Sequence, residues 1–257
     1  MLRSTPFLMA AFLLGMACIA SAQSPDIPSA ISLQEQSLFA ATNRARADQG
    51  LAPLRWDDAL AAAAKTHAEW IVQNSQLSHQ YPGEADLAAR AAQAGAHFQS
   101  VAENIAMGAS AGQIQKQWMN SPPHRANILD PQLNAVGFSV IERAGYLYAV
   151  ADFDRSVAAL TPEQAEAAVE RLLVARSIRI AGSNLDARQT CEMTHGSAGG
   201  SHPLFVMRWQ NSDLSALPPA LEGKLKTGRY QSAAVGACAS ANAESAFTTY
   251  RIAVLLY

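Results

Sequence analysis

The chain changes period once in its first half, at Pro122, and that change limits the folds open to it. Upstream, apolar residues recur at helical spacing; downstream, AVGFSVIE and GYLYAVADF alternate about a turn at 143–145, the pattern of a β-hairpin. Four helices are expected before the change. The first covers 31–48, with Leu33, Leu38, Phe39 and Ala41 in period, Ser32 and Glu35 fitting a capping box, and Gly50 ending it. The second begins near Asp57 and sets Leu60, Ala64, His67 and Ile71 on one face. DLAARAAQAG, ending at Gly95, and AGQIQKQWMN, ending at Pro122, supply the others. Consecutive prolines at 122 and 123 break a helix, so His124 is expected just beyond a helix end, at a turn. Helices first and strands afterwards mark an α+β chain.

A junction follows at 154–160. Thr161-Pro162-Glu163-Gln164 then opens a helix expected to run to about Arg176, with threonine as N-cap and glutamine closing the box. Beyond it SIRIAG, RQTCEM, LFVMRWQ, RYQSAAVGAC and TTYRIAVLLY read as strands, so residues 158–257 are expected to form a β-rich module. AVGAC followed by YRIAV echoes AVGFS followed by YLYAV over a few residues.

The first 22 residues read as a signal peptide. Arg3 is followed by an apolar run from Phe7 to Ile19, too short to span a bilayer comfortably, and by Ala20-Ser21-Ala22 before Gln23. Cleavage there removes Cys18 and leaves Cys191 and Cys238. An even pair in an exported chain favours one disulfide, closing a loop of roughly fifty residues; two buried thiols are the alternative. The expected location is secreted or periplasmic. A net charge of -2 with no long basic run argues against nucleic acid or an anionic membrane as partner, and nothing after the signal reads as transmembrane.

Three side chains suggest chemistry. His79 follows a helix end in NSQLSH, Glu103 precedes Asn104 in VAENIAMG, and His124 stands in SPPHR. Two imidazoles and a carboxylate at element ends can converge on Zn²⁺ or another divalent cation and leave a position for water. Spacings this long are not diagnostic. Glu103 can equally hold backbone N–H groups, and the two histidines can satisfy each other without metal. His67, on the buried face of its helix, reads as a hydrogen-bonded core histidine behind such a cleft.

Several motifs in order sharpen the reading: NRARADQGLAPLRWDDAL, HAEW, NSQLSH, AENIAMG, WMNSPPHRANIL, VGFSV and YLYAVADF. Over about residues 33–154 they resemble the CAP superfamily (SCP/TAPS), which includes cysteine-rich secretory proteins, antigen 5 and pathogenesis-related protein 1, and within it the bacterial secreted members. The resemblance implies an α-β-α sandwich over 32–157, with a cleft where His79, Glu103 and His124 meet. Many eukaryotic members carry a second cleft glutamate three residues before the last histidine; here Ser121 stands there, and a hydroxyl cannot act as a carboxylate base at neutral pH. Two functions are therefore weighed. One is a secreted binding module whose cleft, with Asn104, Ser121 and His67 around it, takes a small apolar ligand such as a sterol or fatty acid, or an extracellular or envelope protein. The other is a metal-assisted hydrolase with Glu103 as base. No Ser-His-Asp or Cys-His signature is visible. An adhesive envelope role for the C-terminal module is a third possibility.

Overall fold

A computed structural model describes residues 31–200, 202–239 and 246–257; the expected signal peptide lies outside the described residues. Helix α1 (Leu33–Ala47) starts at the expected capping box, and the second oxygen of that box has a further use. Glu35 Oε2 accepts the Ser32 N–H at 2.8 Å, while Oε1 accepts the Val140 N–H at 3.0 Å. The cap therefore ties the helix to the sheet. Then come β1 (Arg55–Trp56), α2 (Asp58–Asn74), α3 (Leu87–Gln93), β2 (Phe98–Gly108), α4 (Ala111–Asn120), α5 (Pro122–Ile128), β3 (Ala135–Arg143) and β4 (Tyr146–Ser156). The β3–β4 turn places Ala144 and Gly145 both at positive φ, the two-residue geometry that matches strand twist.

The strands form one sheet in the order β1-β3-β4-β2, with β1 parallel to β3 and the other pairs antiparallel. Both faces are covered. Val136, Phe138, Ala151 and Phe153 pack against Leu38, Phe39, Ile114, Trp118 and Ile128 from α1, α4 and α5. On the opposite face, α2 sets Ala64, Ala68 and Ile71 against Ile105 and Val150. Gly137 lets α2 approach, because a Cβ there would lie 2.0 Å from the Ala61 nitrogen. This is the expected α-β-α sandwich.

The prolines do more than end α4. They occupy the first turn of α5, where a missing N–H costs nothing, so His124 lies inside a new short helix and not at a turn.

Beyond the junction lie α6 (Pro162–Val174), β5 (Arg179–Ile180), α7 (Asn184–Glu192), β6 (Phe205–Asn211), α8 (Pro219–Leu225), β7 (Ser232–Cys238) and β8 (Tyr250–Leu256). Four of the five expected strand segments are strands. RQTCEM is instead mostly helix α7, capped by Ser183 and burying Ala187, Thr190 and Cys191 at helical spacing against the sheet. Burial of that face outweighs the weak local preference of threonine and cysteine for strand.

The second sheet repeats the first. Its order is β5-β7-β8-β6, with β5 parallel to β7 and the other pairs antiparallel. Gly236 repeats Gly137: a Cβ there would lie 2.1 Å from the Arg188 nitrogen in α7. The AVGFS/AVGAC echo thus has a structural counterpart. Its second half is out of register, since Gly137 pairs with Asp152 in β4, whereas Gly236 pairs with Ala253 in β8. Cys191 and Cys238 are joined, fastening α7 to β7. Where the two sheets meet, the Phe247 ring stands edge-on to Phe98 at 5.4 Å and the Thr248 N–H donates to the Phe98 carbonyl at 2.9 Å.

Candidate functional site

Strand alternation decides which side chains meet under α2. Glu103 in β2 pairs with Asp152 in β4, and both point toward that helix. Helix α2 contributes His67 and ends at Ser75 in the left-handed conformation. The following loop carries His79 and Glu84, pinned by the Tyr81 N–H donating to Glu84 Oε2 at 3.0 Å. Asp86 caps α3, which aims the buried Arg90 into the same place.

Glu103 is the hub. Its Oε1 lies 2.7 Å from His79 Nδ1 and its Oε2 lies 2.5 Å from Arg90 Nη2. Arg90 also reaches Glu84 Oε1 at 3.3 Å, and the same Glu84 oxygen meets His67 Nδ1 at 2.6 Å. His67 Nε2 is 3.7 Å from Glu103 Oε2, beyond hydrogen-bond distance. His67 is thus the buried, hydrogen-bonded histidine expected behind the cleft.

Asn104 faces the other layer and holds α5 in place. Its amide donates to the His124 carbonyl at 3.0 Å, and its Oδ1 accepts from Asn127 Nδ2 at 2.9 Å. Asn127 Nδ2 also lies 3.2 Å from the Glu103 carbonyl. Ser121 joins α4 to α5 through its backbone, with no capping bond from its hydroxyl. Trp70 stacks on Tyr81 beside the cluster.

The charges are unevenly shared. The hydrogen bond to Glu103 raises the pKa of His79, outweighing partial burial. Burial lowers that of His124, and the neighbouring His79 adds to the effect. Asp152 is fully buried with neither oxygen hydrogen-bonded among the described residues. Burial, and after it the adjacent Glu103, push its carboxyl well above the usual range.

Among the described residues no three His, Cys, Asp or Glu side chains are gathered as metal ligands. The donor set that remains is a pair of imidazoles, His79 and His124. With Nδ1 engaged by Glu103, His79 keeps Nε2, the arrangement in which a carboxylate orients a metal-binding imidazole.

A family model described as the cysteine-rich secretory protein family, CAP, matches residues 39–153. Residues 39–153 are a CAP domain. The uncharacterized protein YkwD of Bacillus subtilis is 32% identical over 116 residues, 45% of each chain. The uncharacterized membrane protein YlbC of the same organism is 32% identical over 107 residues, 41% of this chain and 31% of the other. The chain thus spans less than half the length of both curated relatives. A solved extracellular protein containing an SCP domain, from Bacillus anthracis, is 29% identical with a TM-score of 0.45, covering 48% of this chain and 40% of that one. No helix among the described residues is long and apolar enough to cross a membrane.

In the CAP domain, then, His79 and Glu103 are in contact, His124 is near enough to His79 to feel its charge, and Asn104 and Ser121 act through α5. Sequence reasoning missed Glu84, Arg90, Asn127 and Asp152. Only Asp152 left a signal: an ionisable residue inside the buried alternation YAVADF.

Proposed function

We propose that this CAP-domain protein is an exported binding module whose cleft presents the His79 and His124 imidazoles as its recognition groups. One observation carries this reading: both Glu103 oxygens are engaged, Oε1 by His79 and Oε2 by Arg90. A hydrolase would need Glu103 to reach a water, and its side chain is 3% exposed. Arg90 and His79 hold Glu103 in place between them, and the fully buried Asp152 has no access to solvent. Ser121 offers no second base.

A divalent cation such as Zn²⁺ is the inorganic partner this pair would take, held by His79 and His124 with water. When bound it would supply a Lewis-acidic anchor for an oxygen or nitrogen of the ligand. The organic occupant is a small apolar ligand; the stacked Trp70 and Tyr81 rings beside the cluster are the apolar surface that would receive it. The family's description as secretory supports a secreted or periplasmic location, and the intact mass of exported protein should correspond to a chain beginning at Gln23.

Calorimetric titration with Zn²⁺ at neutral pH tests the cleft. One reversible site is expected in the full mature chain, weakened about tenfold or more in His79→Ala and in His124→Ala. Equal binding by all three proteins would remove these residues from the role.

A further inference from the structure

The meeting of the two sheets forms an open cavity of about 450 Å³ that belongs to neither alone, a size at which small-molecule sites are common. Its walls come from the end of β4, the middle of α6, the loop after β6, and Tyr250 in β8. Leu160, Leu172 and Leu214 give it an apolar floor continuous with the second core. The Tyr250 hydroxyl accepts the Leu160 N–H at 3.1 Å and donates to the Ala158 carbonyl, so its ring is a fixed wall.

The rim is cationic. Arg155 spends one nitrogen on the neutral Gln132 amide, at 3.3 Å, and among the described residues makes no ion pair. The exposed Arg171 guanidinium has no acceptor among the described residues. Asp213 is the carboxylate of the lining, and its Oδ1 is already occupied by the Ser215 N–H at 2.8 Å. Two arginines, one aspartate and three leucines thus line the same cavity. Arg155 is partly offset by Asp213, whose carboxyl is lowered by its Ser215 bonds and in part by the Arg155 charge, so Arg171 is the guanidinium best placed to meet a ligand that brings its own anion.

We infer that this cavity binds a small organic carboxylate with an apolar body, its carboxylate held by Arg155 and Arg171 and its body on Leu160, Leu172 and Leu214. The inference is independent of the cleft: the two sites share no residue. It also gives the second unit a role, since the site exists only where that unit docks.

Titrating the full mature chain with phenylbutyrate, and separately with uncharged phenylbutanol, tests it. One saturable site is expected for the acid. The alcohol, and the acid with Arg171→Ala, should each bind at least about tenfold more weakly, the scale of one charge-assisted contact. Arg171 is exposed, so its loss leaves folding intact. Ala168→Phe, which fills the cavity from α6 and leaves both charges in place, should abolish binding. His79→Ala/His124→Ala should titrate like wild type. No saturable binding, unchanged affinity in both Arg171→Ala and Ala168→Phe, or loss in the histidine double variant would overturn the inference.

Discussion

Asp152 lies directly opposite Glu103 across the β2–β4 ladder, so two carboxyl groups are buried side by side beneath α2. Arg90 is the only cation fully buried with them among the described residues. Truncating it leaves Glu84 and Glu103 without their counter-charge, a change that typically costs about 3–5 kcal/mol. Arg90→Ala should therefore lower the denaturation midpoint sharply. Adding Glu103→Gln should recover part of the loss, because one uncompensated charge goes with it. If Arg90→Ala unfolds like wild type, the ion pair does not hold the site together.

Acidic residues of β4 also set a pH dependence. Burial is the main reason that Asp154 is pushed up from 3.8 to about 6. Below 3.8 the folded and unfolded forms both hold the proton; between 3.8 and about 6 the folded form holds it preferentially. Its contribution is thus fully present at low pH and lost as pH rises through that window. Asp152, raised by burial first and by Glu103 next, acts with the same sign. Thermal unfolding from about pH 4 to about pH 7 should show a shallower decline in Asp154→Asn, and in Asp152→Asn, than in wild type. Parallel curves would show that these groups titrate alike in both states.

Gly137 and Gly236 make a paired prediction. At either position a methyl group would meet helix backbone near 2 Å, contacts of 2.0 and 2.1 Å that no rotamer change relieves. Gly137→Ala and Gly236→Ala should each cost at least about 2 kcal/mol through displacement of α2 or α7. Gly112, in α4 with open space around its Cβ position, is the control: alanine there should be neutral or stabilise by up to about 1 kcal/mol. Equal effects at all three sites would refute the close-approach argument.

The Cys191–Cys238 crosslink spans 47 residues of the second unit. Its removal in Cys191→Ser/Cys238→Ser should destabilise that unit by about 2–4 kcal/mol, read by denaturant unfolding. Unfolding of the first unit should change little by comparison. A single transition shifted as a whole would mean that the two units unfold together.

Local chemistry made much of this protein legible in the sequence. Ser32 with Glu35, Asp57, and Thr161 with Gln164 start their helices by bonding backbone a few residues away, and the β3–β4 hairpin turns on adjacent residues. The CAP motifs lie in order along the chain, so His79, Glu103 and His124 could be named before any contact was known. Other features depend on residues far apart. Arg90 matters because α3 delivers it to Glu103, and Asp152 because β4 lies beside β2. α7 is a helix because a sheet built from later strands buries one of its faces. The repeat of the sheet order survives in almost no side chains, since strand pairing is made by backbone that many sequences provide. Sequence determined where the capped helices and the β3–β4 hairpin begin and which groups were candidates. Tertiary structure decided which charges share a buried volume, and so that Glu103 is held between His79 and Arg90.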